Sequence, residues 1–182
     1  EPAINSTEIW NGTSWTTSPA TFNTGSPGKT ALAGAGATNT AALAIGGAPL
    51  PVTGAATESY NGTSWTEVND LNFARQDAGA AGTQTSALFF GGRDPGGVGP
   101  TTAKTESWNG TSWSNTSDMN FSNYEMGDAG SSNTSALTAG GSTNEGVTEE
   151  FNTGVAAGAW STGGSLNTAR SRLAGTGIQT AA

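Results

Sequence analysis

Residues 57–65 read TESYNGTSW, and this nine-residue phrase recurs with small changes at three other places. Residues 7–15 read TEIWNGTSW and residues 105–113 read TESWNGTSW. A fourth, altered copy covers residues 148–160, with six residues inserted after TEEFN. The starts of the four copies are 50, 48 and 43 residues apart, a period typical of proteins built from repeated structural units. The fold of the chain therefore depends on the structure of one repeat.

Three of the phrases contain an Asn-Gly pair between aromatic residues, a pattern that predicts a β-hairpin. Asn-Gly favours a tight type I′ turn, because both central positions of that turn need a positive φ. Side chains alternate along a strand, so Tyr60 and Trp65 would share one face with either a two-residue or a four-residue loop. We expect this aromatic face to be buried. The Asn-Gly-Thr triplets also satisfy the glycosylation sequon, but the turn interpretation holds in any compartment.

A second block repeats as clearly and ends in a Gly-Gly pair. Residues 78–92 read AGAAGTQTSALFFGG and align without gaps with residues 33–47 and 127–141. Each copy contains two short strand-like runs on either side of a small polar turn. With one aromatic hairpin, each repeat therefore supplies four strands. The Ala and Gly residues of the first strand suit an inner position, where backbones approach closely.

This repeat predicts an all-β protein. Four short antiparallel strands every 43 to 50 residues are typical of one blade of a β-propeller. No segment carries apolar residues at helical spacing over two or three turns. We predict that residues 1–182 form one β-propeller domain of about four repeats. The units cover approximately residues 1–29, 30–74, 75–123, 124–169 and, in part, 170–182.

The repeated positions resemble those of the kelch repeat, in which a Gly-Gly pair, an aromatic residue, a Trp and an Arg follow each other. The matching positions are Trp10, Trp15, Tyr60, Trp65, Trp108, Trp113 and Trp160, the pairs Gly46 and Gly47, Gly91 and Gly92, and Gly140 and Gly141, and Arg75 and Arg170. The resemblance implies a kelch-type propeller over essentially the whole chain. The Arg is missing from the first and third linkers, where Lys29 and Asn123 stand nearby, and the fourth hairpin lacks Asn-Gly.

The ends of the chain allow two interpretations. Residues 166–182 align with residues 71–87, so the sequence stops where Leu-x-x-Gly-Gly would follow. Either the N-terminal hairpin completes the sheet that the C-terminal strands begin, which gives a closed ring of four blades, or the chain is a piece of a longer propeller. The alignment favours the second interpretation, because a natural C-terminus seldom divides a strand.

The composition argues against several partners and chemistries. With 14 acidic and 6 basic residues, the net charge is −8, and no Lys/Arg cluster is present that would bind nucleic acid or an anionic membrane. The chain has neither Cys nor His, so disulfides, thiolate metal sites and the commonest general base are absent. No apolar stretch approaches the roughly 20 residues that span a bilayer. We predict no metal site, no cofactor and no membrane insertion.

Catalysis is not expected from the acidic residues that recur in the hairpins, Glu8, Glu58, Glu106 and Glu149. A glycosidase needs one pair of carboxylates, whereas a residue repeated in every unit usually has a role in each, such as bonding the neighbouring strand or the linker Arg. Kelch proteins that are copper oxidases use His and Cys ligands, which this sequence lacks. No loop has the Asp-x-Asp-x-Asp spacing of a calcium site.

Binding is the remaining function, and the variable loops are its most suitable location. The loops that leave the second strands and differ most among the repeats are residues 48–54, 93–100 and 142–146. We select Arg93, Asp94, Asn123 and Tyr124 as candidate contact residues, because polar and aromatic side chains suit a sugar or protein surface.

We therefore expect a non-enzymatic binding or structural module, located outside cells or on a virion surface, that recognises a cell-surface glycan or protein. Acidic, Cys-free repeats rich in Gly, Ser, Thr and Asn resemble modules of phage tail fibres, virion proteins and bacterial surface proteins. Other chains of the same assembly are possible further partners. Two alternatives are a purely architectural spacer or decoration and a glycan-active enzyme with acidic residues at the axis.

Overall fold

A computed structural model of the protein describes residues 5–25, 28–48, 54–94, 99–154, 158–175 and 177. Within these ranges the chain forms fourteen β-strands and no helix, and the strands make four antiparallel sheets. The prediction of an all-β protein is confirmed. We name the sheets A to D in chain order.

Sheet A is a two-stranded hairpin, and sheets B, C and D have four strands each. Sheet A contains β1 (Ser6–Trp10) and β2 (Trp15–Thr21). Sheet B contains β3 (Ala33–Thr38), β4 (Ala41–Ile45), β5 (Thr57–Tyr60) and β6 (Trp65–Val68). Sheet C contains β7 (Gly79–Thr83), β8 (Ser86–Phe90), β9 (Thr105–Trp108) and β10 (Trp113–Asn115). Sheet D contains β11 (Gly127–Ser132), β12 (Ser135–Ala139), β13 (Thr148–Asn152) and β14 (Ala159–Thr162).

The strand order within each four-stranded sheet follows the repeat in the sequence. The two small-residue strands pair first, and the aromatic hairpin extends the sheet from the second of them. The prediction that each full repeat supplies four antiparallel strands is confirmed. Sheet A differs, because its described residues form only the aromatic hairpin, β1 and β2.

The aromatic hairpins of sheets A, B and C close with four-residue loops rather than with two-residue turns. In sheet B, Tyr60 pairs with Trp65 across the loop 61–64. Of the Asn-Gly pair only Gly62 has a positive φ, +91°, so the prediction of a type I′ turn is wrong. Instead, Asn61 Oδ1 accepts hydrogen bonds from the N–H groups of the two residues after Gly62, each at 2.9 Å. This side-chain bonding replaces the turn that the dipeptide alone would favour.

The first strands of the four-stranded sheets approach each other closely, β3 beside β7 and β7 beside β11. Their small residues make this possible: a Cβ atom placed on Gly130 would lie only 2.9 Å from Cβ of Ala81. The close backbone approach predicted for these strands is confirmed.

Apolar side chains fill the two junctions between the four-stranded sheets. Trp108 and Trp113 belong to the cluster between sheets B and C, and Phe151 and Trp160 belong to the cluster between sheets C and D. All four side chains are buried. The aromatic hairpins therefore supply a large part of the core.

Sheet A departs from this pattern of burial. Its aromatic pair, Trp10 and Trp15, has ring centroids 5.6 Å apart, but the two residues remain 43% and 65% exposed. The expectation of a buried aromatic face is therefore wrong for this hairpin. The reason is that no sheet in the described part of the chain covers the face that carries Trp15.

Two kinds of hydrogen bond recur at every junction between successive sheets. The indole N–H of a tryptophan donates to a threonine Oγ1 of the preceding sheet: Trp65 to Thr7 at 2.9 Å, Trp113 to Thr57 at 3.0 Å and Trp160 to Thr105 at 3.0 Å. The backbone N–H of a linker asparagine donates to the recurring glutamate of the following sheet: Asn23 to Glu58, Asn72 to Glu106 and Asn120 to Glu149, each at 2.7 Å. We name these bonds, with the ion pairs described next, the junction contacts.

A buried cation completes the junction contacts at two places. Arg75 Nη2 lies 2.9 Å from Oε1 of Glu106, and Lys29 Nζ lies 3.3 Å from Oε1 of Glu58. All four side chains are almost fully buried. Lys29 therefore occupies, in the first linker, the place that Arg75 occupies in the second. The expected role of the recurring glutamate, bonding the linker, is confirmed.

The Gly-Gly pairs allow the next linker to cross the end of the second strand. Gly91 and Gly92 have φ values of 65° and 92°, and the N–H of Gly92 donates to the carbonyl of Asn123 at 2.8 Å. A Cβ atom on Gly91 would lie 2.7 Å from the same carbonyl oxygen. The equivalent carbonyls are those of Arg75 and Arg170. Asn123 therefore stands at the arginine position of the third linker.

Candidate functional site

Linkers and loops meet at one end of the sheets, which we name the loop face. Here the linkers enter the first strands and the variable loops leave the second strands. Backbone pairing joins them at three equivalent places: Thr30 with Ala48, Gln76 with Arg93, and Tyr124 with Ser142. Parts of two predicted binding loops, residues 49–53 and 95–98, lie outside the described residues.

Four equivalent residues of the loop face have left-handed backbone conformations. They are Ala31, Asp77, Glu125 and Arg172, with φ between 53° and 56°. The N–H of Asp77 donates to the Ala31 carbonyl, that of Glu125 to the Asp77 carbonyl, and that of Arg172 to the Glu125 carbonyl, at 2.9 to 3.0 Å. Such a conformation costs a non-glycine residue about 1–3 kcal/mol and is frequent at functional sites. These hydrogen bonds fix the positions of the linker residues that lead into the first strand of each unit.

Arg93 and Tyr124, both selected from the sequence, lie together on the loop face. The guanidinium carbon of Arg93 lies 4.6 Å from the centroid of the Tyr124 ring. Arg93 Nε also donates to Oδ2 of Asp77 at 2.7 Å, and this hydrogen bond raises the pKa of Arg93. We name Asp77, Arg93 and Tyr124 the Arg93 cluster. All three side chains are partly exposed, so the cluster is both ordered and accessible.

A second acid–base pair lies beside the Arg93 cluster. Ser142 Oγ donates to Oε2 of Glu125 at 2.6 Å, and Arg172 Nε donates to the same oxygen at 3.1 Å. The hydrogen bond from Ser142 is the main reason that the pKa of Glu125 lies below its ordinary value, and Arg172 acts in the same direction. Glu125 therefore presents a carboxylate at neutral pH, beside Tyr124 in the sequence.

Asp94, the third selected residue, belongs to a different part of the surface. It lines a groove of about 340 Å³ together with Phe73, Thr102 and Lys104. Lys104 Nζ lies 4.0 Å from the centroid of the Phe73 ring, and Phe73 is 38% exposed. The groove combines an aromatic ring with the acidic Asp94 and the basic Lys104, and the buried Arg75 also lines it.

Asn123, the fourth selected residue, is buried rather than exposed on the loop face. Its Nδ2 donates to the carbonyl of Gly140 at 2.7 Å, and its Oδ1 accepts from the N–H groups of Tyr124 and Thr143. Asn123 thus fixes the loop after β12 against the third linker. The structure brings Arg93 and Tyr124 together, leaves Asp94 in the adjacent groove and places Asn123 inside.

A cavity of about 180 Å³ lies between the first strands of sheets B, C and D. Among the described residues its lining is Gly and Ala apart from Asp128. Asp128 Oδ2 accepts a hydrogen bond from the N–H of Ala80 at 3.0 Å. Burial raises the pKa of Asp128 from 3.8 to about 6, and the bond from Ala80 only partly opposes this. At neutral pH the cavity therefore contains a carboxylate that burial destabilises.

This raised pKa gives a testable pH dependence. The folded state binds the Asp128 proton more tightly than the unfolded state does, so the stability contributed by this group is complete below pH about 4 and is lost as the pH rises through about 6. We expect Asp128→Asn, which can still accept from Ala80, to raise the free energy of unfolding at pH 7 by about 1–3 kcal/mol. The difference from wild type should vanish near pH 4. Denaturant unfolding at several pH values measures it, and parallel pH profiles would contradict the assignment.

The described residues include no group of three or more acidic side chains that could hold a metal ion. The described ranges also lack a helix that could cross a bilayer. The arrangement on the loop face is instead suited to polar recognition, since an aromatic ring, a guanidinium and two carboxylates are held in place by mutual bonds.

Asp77 and Glu125 were not selected from the sequence, and Asp128 was considered there only as a weak candidate cation ligand. A signal for the first two was present, because each follows a linker asparagine, Asn72 or Asn120, by five residues. Asp128 aligns with Gly34 and Gly79 of the preceding repeats, and a charged residue at a glycine position is also visible in the alignment. Neither signal shows which side chains meet, since that depends on how the sheets pack.

Comparison with known protein families finds no family that matches this chain, and comparison with curated proteins finds no match either. The fold and the loop-face geometry therefore carry the functional argument alone.

Proposed function

We propose that the chain is a kelch-like β-propeller module without enzymatic activity that binds a cell-surface glycan or protein through its loop face. In this proposal sheets B, C and D are blades and sheet A is the outer half of a further blade. The module acts outside cells or as part of a virion, and other chains of the same assembly hold it in place.

The propeller proposal is supported by the regular relation between the sheets. Small-residue strands lie innermost and face each other, aromatic hairpins lie outermost, and the same junction contacts join each sheet to the next. In a propeller each blade is related to the next by the same rotation about a central axis, so the same contacts should recur at every junction.

The observation that carries the binding proposal is the stacking of Arg93 on Tyr124, 4.6 Å from the ring centroid. Asp77 also holds the guanidinium, through an ion pair of 2.7 Å with Arg93 Nε, so the Arg93 cluster is ordered before a ligand arrives. Preorganisation reduces the entropy lost on binding. Tyr and Arg are also the residue types that most often dominate binding energy at interfaces.

A glycan array tests this function. We expect the wild-type chain to bind a subset of immobilised glycans, and Tyr124→Ala to weaken that binding by roughly tenfold or more, because tyrosine is among the residue types that most often dominate binding energy at interfaces. Thr63→Ala is the matched control, since it removes an exposed side chain at the opposite end of sheet B. Thermal unfolding should show that both variants fold.

Two results would count against glycan binding at this site. If the chain binds no glycan on the array, the protein-binding or architectural alternatives take precedence. If it binds glycans but Tyr124→Ala binds as tightly as Thr63→Ala, recognition lies elsewhere, and the groove with Asp94 and Phe73 becomes the next candidate.

A further inference from the structure

Among the described residues, no cationic side chain is buried in the junction between sheets C and D. In the two preceding junctions, Lys29 and Arg75 pair with Glu58 and Glu106. Glu149 holds the same position in sheet D and is 1% exposed, but it forms no ion pair within the described ranges. All six Lys and Arg residues of the sequence lie in the described part of the chain, so none of them neutralises this carboxylate.

Glu149 also accepts fewer hydrogen bonds than its equivalents. The backbone N–H groups of Asn120 and Phe121 donate to it at 2.7 and 3.4 Å. Glu106 accepts the two corresponding backbone bonds and, in addition, bonds from two side chains of its linker. A buried carboxylate costs free energy unless it is paired and hydrogen-bonded. Glu149 is therefore the least compensated of the three buried glutamates at the junctions.

Asn123 replaces only part of what an arginine supplies at this linker position. The Arg75 guanidinium bonds two backbone carbonyls and the glutamate of its junction. The shorter Asn123 side chain donates to one equivalent carbonyl, that of Gly140 at 2.7 Å, and makes no bond with Glu149. It also makes none with the second equivalent carbonyl, that of Val147, which accepts from the N–H of Gly140. A carboxylate and a carbonyl therefore stand where a guanidinium lies in the preceding junction.

A buried hydroxyl lies beside Glu149 on the same face of sheet D. Thr138 pairs with Glu149 in the register of β12 and β13, so their side chains are neighbours. Thr138 is 3% exposed, and its Oγ1 has no hydrogen-bond partner in the described part of the chain. Its other neighbour in register, Asp128, bonds Ala80 instead. Buried polar groups without a partner are rare and call for an explanation, such as a bound ion or water.

The equivalent residue of sheet C shows where the Thr138 hydroxyl lies relative to the cation position. Phe89 pairs with the glutamate of its sheet, and its ring centroid lies 4.7 Å from the guanidinium carbon of Arg75. In the next junction Met126 supplies apolar packing, since a Cβ atom on Gly91 would lie 2.6 Å from its Cε. A thioether fills volume but carries no charge. The packing of the phenyl ring is therefore replaced, whereas the cation is not.

We propose that the junction between sheets C and D binds a monovalent alkali-metal ion, sodium or potassium, through the Glu149 carboxylate, the Thr138 hydroxyl and the Val147 carbonyl. Hard cations take oxygen ligands of these kinds. The ion supplies the single positive charge that Lys29 and Arg75 supply in the other junctions, and it gives the Thr138 hydroxyl a partner. Its role is to stabilise the packing of the two sheets, independently of any ligand on the loop face.

Thermal unfolding in different chloride salts tests this site. An ion that binds only the folded state raises the Tm as its concentration rises. With tetramethylammonium chloride holding the ionic strength constant, increasing sodium or potassium chloride should raise the Tm of the wild-type chain by at least about 3 °C. Tetramethylammonium carries the same charge but is too large to take three oxygen ligands. Comparison of the sodium and potassium series identifies the preferred ion.

Two variants remove one ligand each. Thr138→Val keeps the shape of the side chain and should at least halve the Tm shift, and without alkali ions it should be as stable as wild type or more, since a methyl group needs no partner. Glu149→Gln removes the charge and should abolish the shift. Thr66→Val is the matched control, because it makes the same change on an exposed residue of β6, and it should retain the full shift.

Two outcomes would overturn the proposal. One is a wild-type Tm that is equal in all three salts. The other is an alkali-specific shift that Thr138→Val and Glu149→Gln both retain, because the ion then binds elsewhere. If Glu149→Gln fails to fold, Thr138→Val decides alone, since it removes a ligand without changing the charge of the junction.

Discussion

Arg75→Ala is expected to lower the free energy of unfolding by about 3–5 kcal/mol, the usual effect of removing one partner of a buried ion pair. Arg75 is 1% exposed, and its guanidinium bonds Glu106 and the carbonyls of Gly91 and Lys104. The variant leaves the buried Glu106 carboxylate without its cation and both carbonyls without their donor. Since domains are stable by only about 5–15 kcal/mol, this loss is a large fraction of the total.

Arg170→Ala is the matched control, because Arg170 holds the same repeat position but is exposed. We expect its effect to stay within about 0.5 kcal/mol. Urea unfolding measures both variants. Arg75→Lys should recover part of the loss, since Lys29 fills the equivalent place one junction earlier. A loss below about 1 kcal/mol for Arg75→Ala would show that the pair contributes little beyond its desolvation.

Trp113→Ala should be about as destabilising, with a loss of about 3–5 kcal/mol. The indole packs against Trp108 and Phe89 between sheets B and C, with ring centroids 5.2 and 6.3 Å away. Its N–H donates to the buried Oγ1 of Thr57 at 3.0 Å. The variant therefore creates a cavity and removes a hydrogen bond at the same junction.

Two further variants separate these effects. Trp113→Phe retains much of the packing and should cost about 1–3 kcal/mol, mainly because Thr57 loses its donor. Trp15→Ala changes the equivalent residue of sheet A, which is 65% exposed, and should cost no more than about 0.5 kcal/mol in the monomer. Thermal and urea unfolding measure all three variants. Equal losses for Trp15→Ala and Trp113→Ala would mean that the aromatic face of sheet A is covered in solution.

The alignment of the repeats predicted the strands and their order well, because it rests on local features. The Gly-Gly pairs, the small residues of β3, β7 and β11 and the aromatic hairpins all lie where the repeat places them. The type I′ turn was wrong because the prediction used the dipeptide alone. The Asn61 side chain bonds the following backbone and produces a longer loop.

The candidate site was predicted less completely, because its members come from different units. Arg93 and Tyr124 were selected from variable loops, but their stacking depends on the packing of sheet C beside sheet D. Asn123 was selected as a surface residue and is buried, because it stands at the arginine position of its linker and bonds the neighbouring Gly140 carbonyl.

The sequence by itself determined the all-β class, the four-stranded unit and the recurring glutamate with its linker partner. These follow from local periodicity and from a pattern that repeats along the chain. Only the tertiary structure decided which copies of each repeated residue are buried. Trp113 and Trp15, or Arg75 and Arg170, have the same sequence context, yet one of each pair is buried and the other exposed. The physical reason is that burial requires a neighbouring sheet, and sheets A and D each have one face that no described sheet covers.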